Sequence, residues 1–336
     1  MMQRRQRMPA RSTHGFRNGP LLWLLLGSML LAGSSCAHVR PRGQYVGPQQ
    51  MPPALLAYYS YPKRPIEARV QVLKQKKRYD VLRIEFPSAI NVFGNEDIKV
   101  DYYVQKEPGR HPTVLMLPIS GGVDFSVESF AWLFARCGIN CALVHNRRVE
   151  IENTQSAEEV EAYFRQTVLD NRQVLDYLVT RPDVDPNRLG CLGLSLGGIK
   201  AGLVAAVDDR IKCAVLGLAG GSMADIAMNS KEDRLEDYIN ELKGQGISSD
   251  DLHAELLEKV RTDPLRLGPY IDARRTLMFI ASFDRVVPKW TGEQLRRAIG
   301  GPKTIYLFAG HYTSFLYLPY AQWESLRFVK KRLHVN

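Results

Sequence analysis

The sequence predicts an α/β fold: a mostly parallel central sheet with helices on both faces. Three observations predict it. From Thr113 onward, short apolar runs alternate with stretches of helical spacing, which is how parallel strands joined by crossover helices read. One run, Arg188-Leu189-Gly190-Cys191-Leu192, leads through Gly193-Leu194-Ser195-Leu196-Gly197 into a helix of small residues. Two later runs, 275–283 and 303–308, end at Asp284 and just before Gly310-His311, so an acid and a histidine sit past the carboxyl ends of the last two strands. In open α/β sheets that edge gathers ligands and reactive groups.

Read in order, the chain starts with five arginines (Arg4, Arg5, Arg7, Arg11 and Arg17) and no acid in its first twenty residues, followed by a dozen mostly apolar ones at 21–32. A basic stretch, a short apolar core and then small residues make a secretory signal, too short to cross a bilayer comfortably. Residues 1–35 are therefore expected to be a signal peptide. Without its five arginines, the remaining 40 basic residues stand against 35 acids, and the net charge falls from +10 to +5. The basic excess is largely an address, which leaves nucleic acid without support as a partner. Lys74-Gln75-Lys76-Lys77-Arg78 reads as a solvated hairpin turn, and Lys330-Lys331-Arg332 as a helix end suited to the negative pole of its dipole.

Residues 36–65, rich in Pro, Gly and Gln and without a period, read as a tether. The remaining domain, 66–336, opens with alternating runs at 68–73 and 79–86 that suggest a hairpin, then a strand at 98–104 before the central one at 113–117. The helix from Ser156 carries a capping box with Glu159, and Val160, Phe164, Val168, Leu175 and Leu178 recur on one side as a core stripe. Between the strand ending near Leu218 and the one beginning near Thr276 lie two amphipathic helices, 231–243 and 250–260, inside an insertion of about 222–265. No internal repeat is evident.

A serine hydroxyl is a poor nucleophile near neutral pH and needs a positioned base with a group to orient it. G-x-S-x-G between strand and helix is the nucleophile-elbow pattern, its glycines allowing a sharp turn that lifts the hydroxyl above the sheet edge. The order Ser195, Asp284, His311 supplies nucleophile, acid and base in turn. Other candidates stand beside them. His145 also ends a strand and His253 lies on a surface-like helix, while Asp225, shortly after the strand 213–218, is the second choice of acid. His145 and Arg147 could hold an anionic group of a substrate; Arg147 could equally pair with nearby acids.

With these residues the chain resembles the α/β-hydrolase superfamily, in the dienelactone-hydrolase and acyl-esterase branch. The resemblance is carried by Val184-Asp185-Pro186-Asn187-Arg188-Leu189-Gly190 running into Gly193-Leu194-Ser195-Leu196-Gly197-Gly198, by Phe283-Asp284-Arg285-Val286-Val287-Pro288, and by Gly310-His311, and it spans roughly 66–335. It implies an α/β-hydrolase fold, a Ser195–Asp284–His311 triad, and cleavage of a carboxylic ester through an acyl-enzyme, with thioester or peptide cleavage open to the same groups. It also implies an oxyanion hole made by the Leu196 N–H and a donor from the loop Pro118-Ile119-Ser120-Gly121-Gly122-Val123, with Ser120 first and Ile119 or Gly121 as rivals. This loop starts with Pro118-Ile119 where the superfamily usually has His-Gly. In this superfamily an insertion at 222–265 often caps the site; a structural excursion away from it is the alternative. Peptidases of the prolyl-oligopeptidase type usually carry a further large domain, for which this chain has no room, so esters are favoured. The rival from another class is a catalytically silent hydrolase-fold lipoprotein that binds a ligand or an envelope partner.

Gly33-Ser34-Ser35-Cys36 resembles a bacterial lipoprotein processing site, which would make Cys36 the lipidated first residue and hold the protein at the cell envelope, on the periplasmic side of the outer membrane. Ordinary cleavage near Ser35 or Ala37 is the alternative. An exported address permits disulfides. Cys137 and Cys141 flank a short turn and are evenly balanced between bridge and free thiols, while Cys191 and Cys213, in neighbouring strands, read as buried thiols. No metal-ligand spacing and no phosphate-cradling motif is present, so no cofactor and no metal are expected.

Overall fold

The structure, a computed structural model, describes residues 36–39, 45–148, 154, 156–244 and 246–335. The expected signal peptide lies outside the described residues. Among the described residues ten strands, numbered β1 to β10 along the chain, form one sheet in the order β1-β10-β9-β8-β7-β5-β6-β4-β3-β2. The alternating segment near the start becomes an antiparallel run of β2 (Arg69–Gln75), β3 (Tyr79–Pro87) and β4 (Asp97–Gln105), which joins β6 (Asn140–Val144). From there β6, β5 (His111–Leu117), β7 (Val184–Leu194), β8 (Ile211–Gly217), β9 (Thr276–Ala281) and β10 (Lys303–Leu307) are parallel. The strands flanked on both sides are buried nearly end to end, which is why they read as unbroken apolar runs instead of alternating ones.

Helices cover both faces. α2 (Phe125–Arg136) and α10 (Leu318–Arg332) pack on one side, where Phe130, Phe134, Phe328 and Val329 are buried against Val114, Met116, Val215 and Leu277. On the other side lie α3 (Ala157–Thr180), α4 (Leu196–Val207) and α9 (Lys289–Ile299), with Phe164, Leu175, Leu203 and Leu295 among the buried side chains. The cap of α3 forms as its sequence indicates: Ser156 Oγ accepts from the Glu159 N–H at 3.2 Å.

The described residues within 36–65 correct the expectation of a tether. β1 (Ala37–Val39) extends the sheet antiparallel to β10, and α1 (Pro53–Tyr58) packs on the domain with its flanks. Tyr59 is fully buried and shares a 3.0 Å hydrogen bond with Thr262 Oγ1, while the Tyr45 hydroxyl donates to the Ile271 carbonyl at 3.2 Å and accepts from the Ala273 N–H at 3.0 Å. Polar composition concealed a few aromatic anchors whose burial outweighs the cost of ordering the chain between them.

The insertion after β8 forms α5 (Met223–Asn229), α6 (Asp233–Gly244) and α7 (Ser249–Lys259). Its two ends are tied by one buried carboxylate: Asp263 accepts from the backbone N–H groups of Ser222 at 3.1 Å, Met223 at 2.5 Å and Leu265 at 2.7 Å. The five cysteines at 36, 137, 141, 191 and 213 are all free thiols, so no bridge joins Cys137 to Cys141. Burial pushes the Cys213 thiol up to about 12, as expected of a thiol with no water to stabilise its anion.

Candidate active site

The turn between β7 and α4 holds a non-glycine residue at positive φ. Ser195 has φ 53° and ψ −125°, a region that costs an L-residue on the order of 1–3 kcal/mol. The strain is held from both sides, since the Ser195 N–H donates to the Gly217 carbonyl at 2.8 Å and the Ser195 carbonyl accepts from Ile199 N–H at 3.1 Å. Glycine is required on either side of the serine. A Cβ at Gly193 would lie 2.0 Å from the Gly197 carbonyl oxygen, and one at Gly197 would lie 2.1 Å from that of Leu117.

The turn brings the Ser195 hydroxyl to the His311 ring. Oγ stands 2.9 Å from Nε2, and Nδ1 stands 2.8 Å from Asp284 Oδ2. The other Asp284 oxygen accepts from the Val286 and Val287 N–H groups, each at 2.9 Å, which fixes the carboxylate in the loop that Pro288 ends. His311 is held by a short 3-10 segment, Tyr312–Tyr317, where Ser314 Oγ donates back to the His311 carbonyl at 2.5 Å. Both side chains are almost wholly buried. An imidazole lodged between a hydroxyl and a buried carboxylate can take the hydroxyl proton while its other nitrogen remains a donor to the carboxylate.

Leu196 is the first residue of α4, so its N–H has no partner within the helix and lies at the positive pole of the dipole. Across from it the loop after β5 turns back on itself through an Ile119–Gly122 bridge, with Gly121 and Gly122 at φ 80° and 96°. Ile119 and Ser120 line the same cavity as Ser195 and His311. That cavity has a volume of about 390 Å³ and a wall that is mostly apolar. Met223, Ile226, Leu235, Tyr238 and Leu256 from the insertion form part of the wall, so these helices flank the site instead of packing away from it.

The remaining sequence candidates are not brought to this cavity. Arg147 forms a two-pronged pair with Asp170, at 2.8 and 3.0 Å, and also donates to the Phe93 carbonyl at 3.0 Å. His145 Nε2 sits 3.0 Å from Asp101 Oδ2. Both line a separate polar cleft of about 40 Å³, away from Ser195, and their side chains are engaged there by Asp101 and Asp170. Asp225, the second choice of acid, lies 2.8 Å from His253 Nε2.

Two residues near the site were passed over in the sequence. Asn146 Nδ2 donates to the Ile119 carbonyl at 2.9 Å, and Lys200 Nζ donates to Asn146 Oδ1 at 2.9 Å and to the Tyr163 hydroxyl at 2.8 Å. Lys200 is buried on the helix that starts at the elbow. Its signal was legible: it is the single charge in Leu196-Gly197-Gly198-Ile199-Lys200-Ala201-Gly202-Leu203, and a buried lysine needs partners.

Comparison with known proteins agrees with this architecture. An acetyl xylan esterase from Paenibacillus sp. R4 superposes with a TM-score of 0.65 at 20% identity, covering 84% of this chain and 100% of that one. Acetyl xylan esterase 1 from Thermoanaerobacterium sp. JW/SL YS485 gives 0.62 at 17% identity, over 84% of this chain and 96% of that one. These likenesses show the α/β-hydrolase fold. A stretch of 48 residues is 48% identical to the Bacillus subtilis (strain 168) protein YtaP, provisionally named a hydrolase, and covers 14% of this chain and only 16% of that protein's length. The model of the prolyl oligopeptidase family (Peptidase_S9) matches residues 133–305, from α2 through the elbow and Asp284 to the middle of β10. The chain belongs to that family and is a serine hydrolase of the α/β-hydrolase type.

Proposed function

We propose that this protein is an esterase of the dienelactone-hydrolase and acyl-esterase kind, cleaving carboxylic esters with an apolar acyl or alcohol part. The observation that carries the reading is the Ser195–His311–Asp284 relay, at 2.9 and 2.8 Å, opening on a largely apolar cavity. Ser195 Oγ attacks the ester carbonyl as His311 Nε2 takes its proton. The Leu196 N–H and a donor from the Ile119–Ser120 stretch, Ser120 first, hold the oxyanion. His311 then protonates the departing alcohol, leaving an acyl-serine. Water, deprotonated by the same imidazole, attacks that acyl group, and the carboxylic acid leaves as Ser195 regains its proton. Asp284 keeps the imidazole in the tautomer this requires and stabilises the imidazolium.

The superposed acetyl xylan esterases lend weight to an ester substrate, and the apolar wall favours groups larger than acetyl. Thioester or amide cleavage would use the same groups. The proposal extends to export, with residues 1–35 removed and Cys36 lipidated at the cell envelope; intact-mass analysis of the membrane-extracted protein tests that part. For the chemistry, a fluorophosphonate probe labels the wild-type protein and leaves Ser195→Ala unlabelled. A folded wild-type protein that stays unlabelled refutes the reading.

A further inference from the structure

Six large apolar side chains stand exposed at the carboxyl edge of the sheet, around the catalytic cavity: Phe125, Phe283, Phe308, Tyr312, Phe315 and Leu316. Phe125 begins α2 after β5, Phe283 follows β9, Phe308 follows β10, and the last three belong to the 3-10 segment after His311. They are grouped, with Phe283 and Phe308 ring to ring at 4.8 Å and Phe125 and Phe315 at 6.3 Å. Leu316 is 79% exposed and Phe125 68%, and it is their grouping into one patch that marks an interaction surface. Tyr312 and Phe315 both line the cavity and face solvent, so the cavity opens among these side chains.

The sheet register adds an independent fact. β1 runs antiparallel to β10 with Ala37 opposite Tyr306 and Val39 opposite Thr304. Continued by one residue, this brings Cys36 beside Leu307, next to Phe308 on the same edge. The chain therefore enters the fold at the aromatic rim, and its only long apolar run outside the described residues, 21–32, precedes Cys36 by three residues. An anchor in that run, or the lipid on Cys36 proposed above, would reach the fold at the catalytic edge.

We propose that the rim formed by Phe125, Phe283, Phe308, Tyr312, Phe315 and Leu316 docks on a phospholipid bilayer, with the cavity mouth facing the membrane. Aromatic and leucyl side chains with polar backbone beneath them suit the boundary between headgroups and acyl chains. The charges around the Tyr312 hydroxyl are mixed, Glu232 and Asp233 beside Arg234, which argues for a docking that is apolar and not led by anionic lipid. Resting on the esterase reading, this makes the substrate an ester dissolved in the bilayer, entering the cavity without crossing water.

The test places a fluorescent non-natural amino acid at residue 316, or at exposed Asn187 near the opposite edge, in the full chain on phosphatidylcholine vesicles with bromine-labelled acyl chains. Quenching at 316 with none at 187, unchanged in high salt and repeated with Ser195→Ala, is the expected result. It needs no turnover, so its failure is separate from failure of the phosphonate labelling. The substitutions Phe308→Ser and Leu316→Ser, made together, are expected to weaken vesicle partition by roughly tenfold or more. Equal quenching at the two sites, no attachment to vesicles, or shielding of residue 316 that tracks protein concentration without lipid would each overturn the proposal, the last in favour of a second copy of the chain.

Discussion

Asn146 and Ile119 are joined by a 2.9 Å hydrogen bond that runs from the end of β6 to the loop facing the nucleophile. The bond fixes the carbonyl of a residue whose neighbour, Ser120, is the proposed oxyanion donor, and Lys200 fixes Asn146 in turn from the helix carrying the elbow. Donors for a developing negative charge work by being held in place before the charge appears.

Asn146→Ala should therefore lower kcat for a short soluble ester by about tenfold, less than loss of a donor itself, while KM shifts by less than about threefold. Steady-state kinetics separates the two parameters. A variant that changes KM alone would make Asn146 a structural prop for the cavity and not for the oxyanion loop.

The cavity wall contributed by the insertion should set chain-length preference. Leu235→Trp fills space beside Tyr238 and Leu256 and is expected to cut kcat/KM for an octanoate ester by about tenfold relative to the acetate ester of the same alcohol. Parallel assays of p-nitrophenyl esters of increasing length check this, and an unchanged ratio would place the acyl group elsewhere.

At the elbow, Gly197→Ala would set a Cβ 2.1 Å from the Leu117 carbonyl oxygen, with no flexible neighbour to give way. A loss of about 3 kcal/mol or more in stability is expected, together with loss of phosphonate labelling. Denaturant unfolding alongside labelling measures both.

Asp208 supplies a dependence on acid. Burial raises its carboxyl, but hydrogen bonds and charge from Arg210 and Arg172 outweigh it, and the net shift is downward from 3.8. A folded-state pKa below the unfolded one means that the stabilisation is complete above about pH 4 and fades as pH falls through the lower, folded value. Asp208→Asn should cost roughly 3 kcal/mol at pH 7, since two arginines lose a buried partner, and the gap from wild type should shrink below about pH 4. Urea unfolding at several pH values tests the sign.

Most of the architecture was legible because parallel strands buried on both faces must be continuously apolar, and because the elbow cannot be built without glycine at 193 and 197. Those constraints act over a few residues, so they are written locally. What the sequence alone determined was the strand-helix alternation, the elbow at Ser195, and an acid and a histidine at the ends of the last two strands. Tertiary structure decided which charges are free to act. Chain order put Asp284 and His311 first among five histidine and acid candidates, and packing paired His145 with Asp101 and His253 with Asp225, leaving Asp284 and His311 to each other. It likewise turned residues 45–61 from an apparent tether into part of the fold and brought Asn146 to Ile119. A side chain's partner at long sequence separation follows from the global path of the backbone, and no local pattern encodes that path.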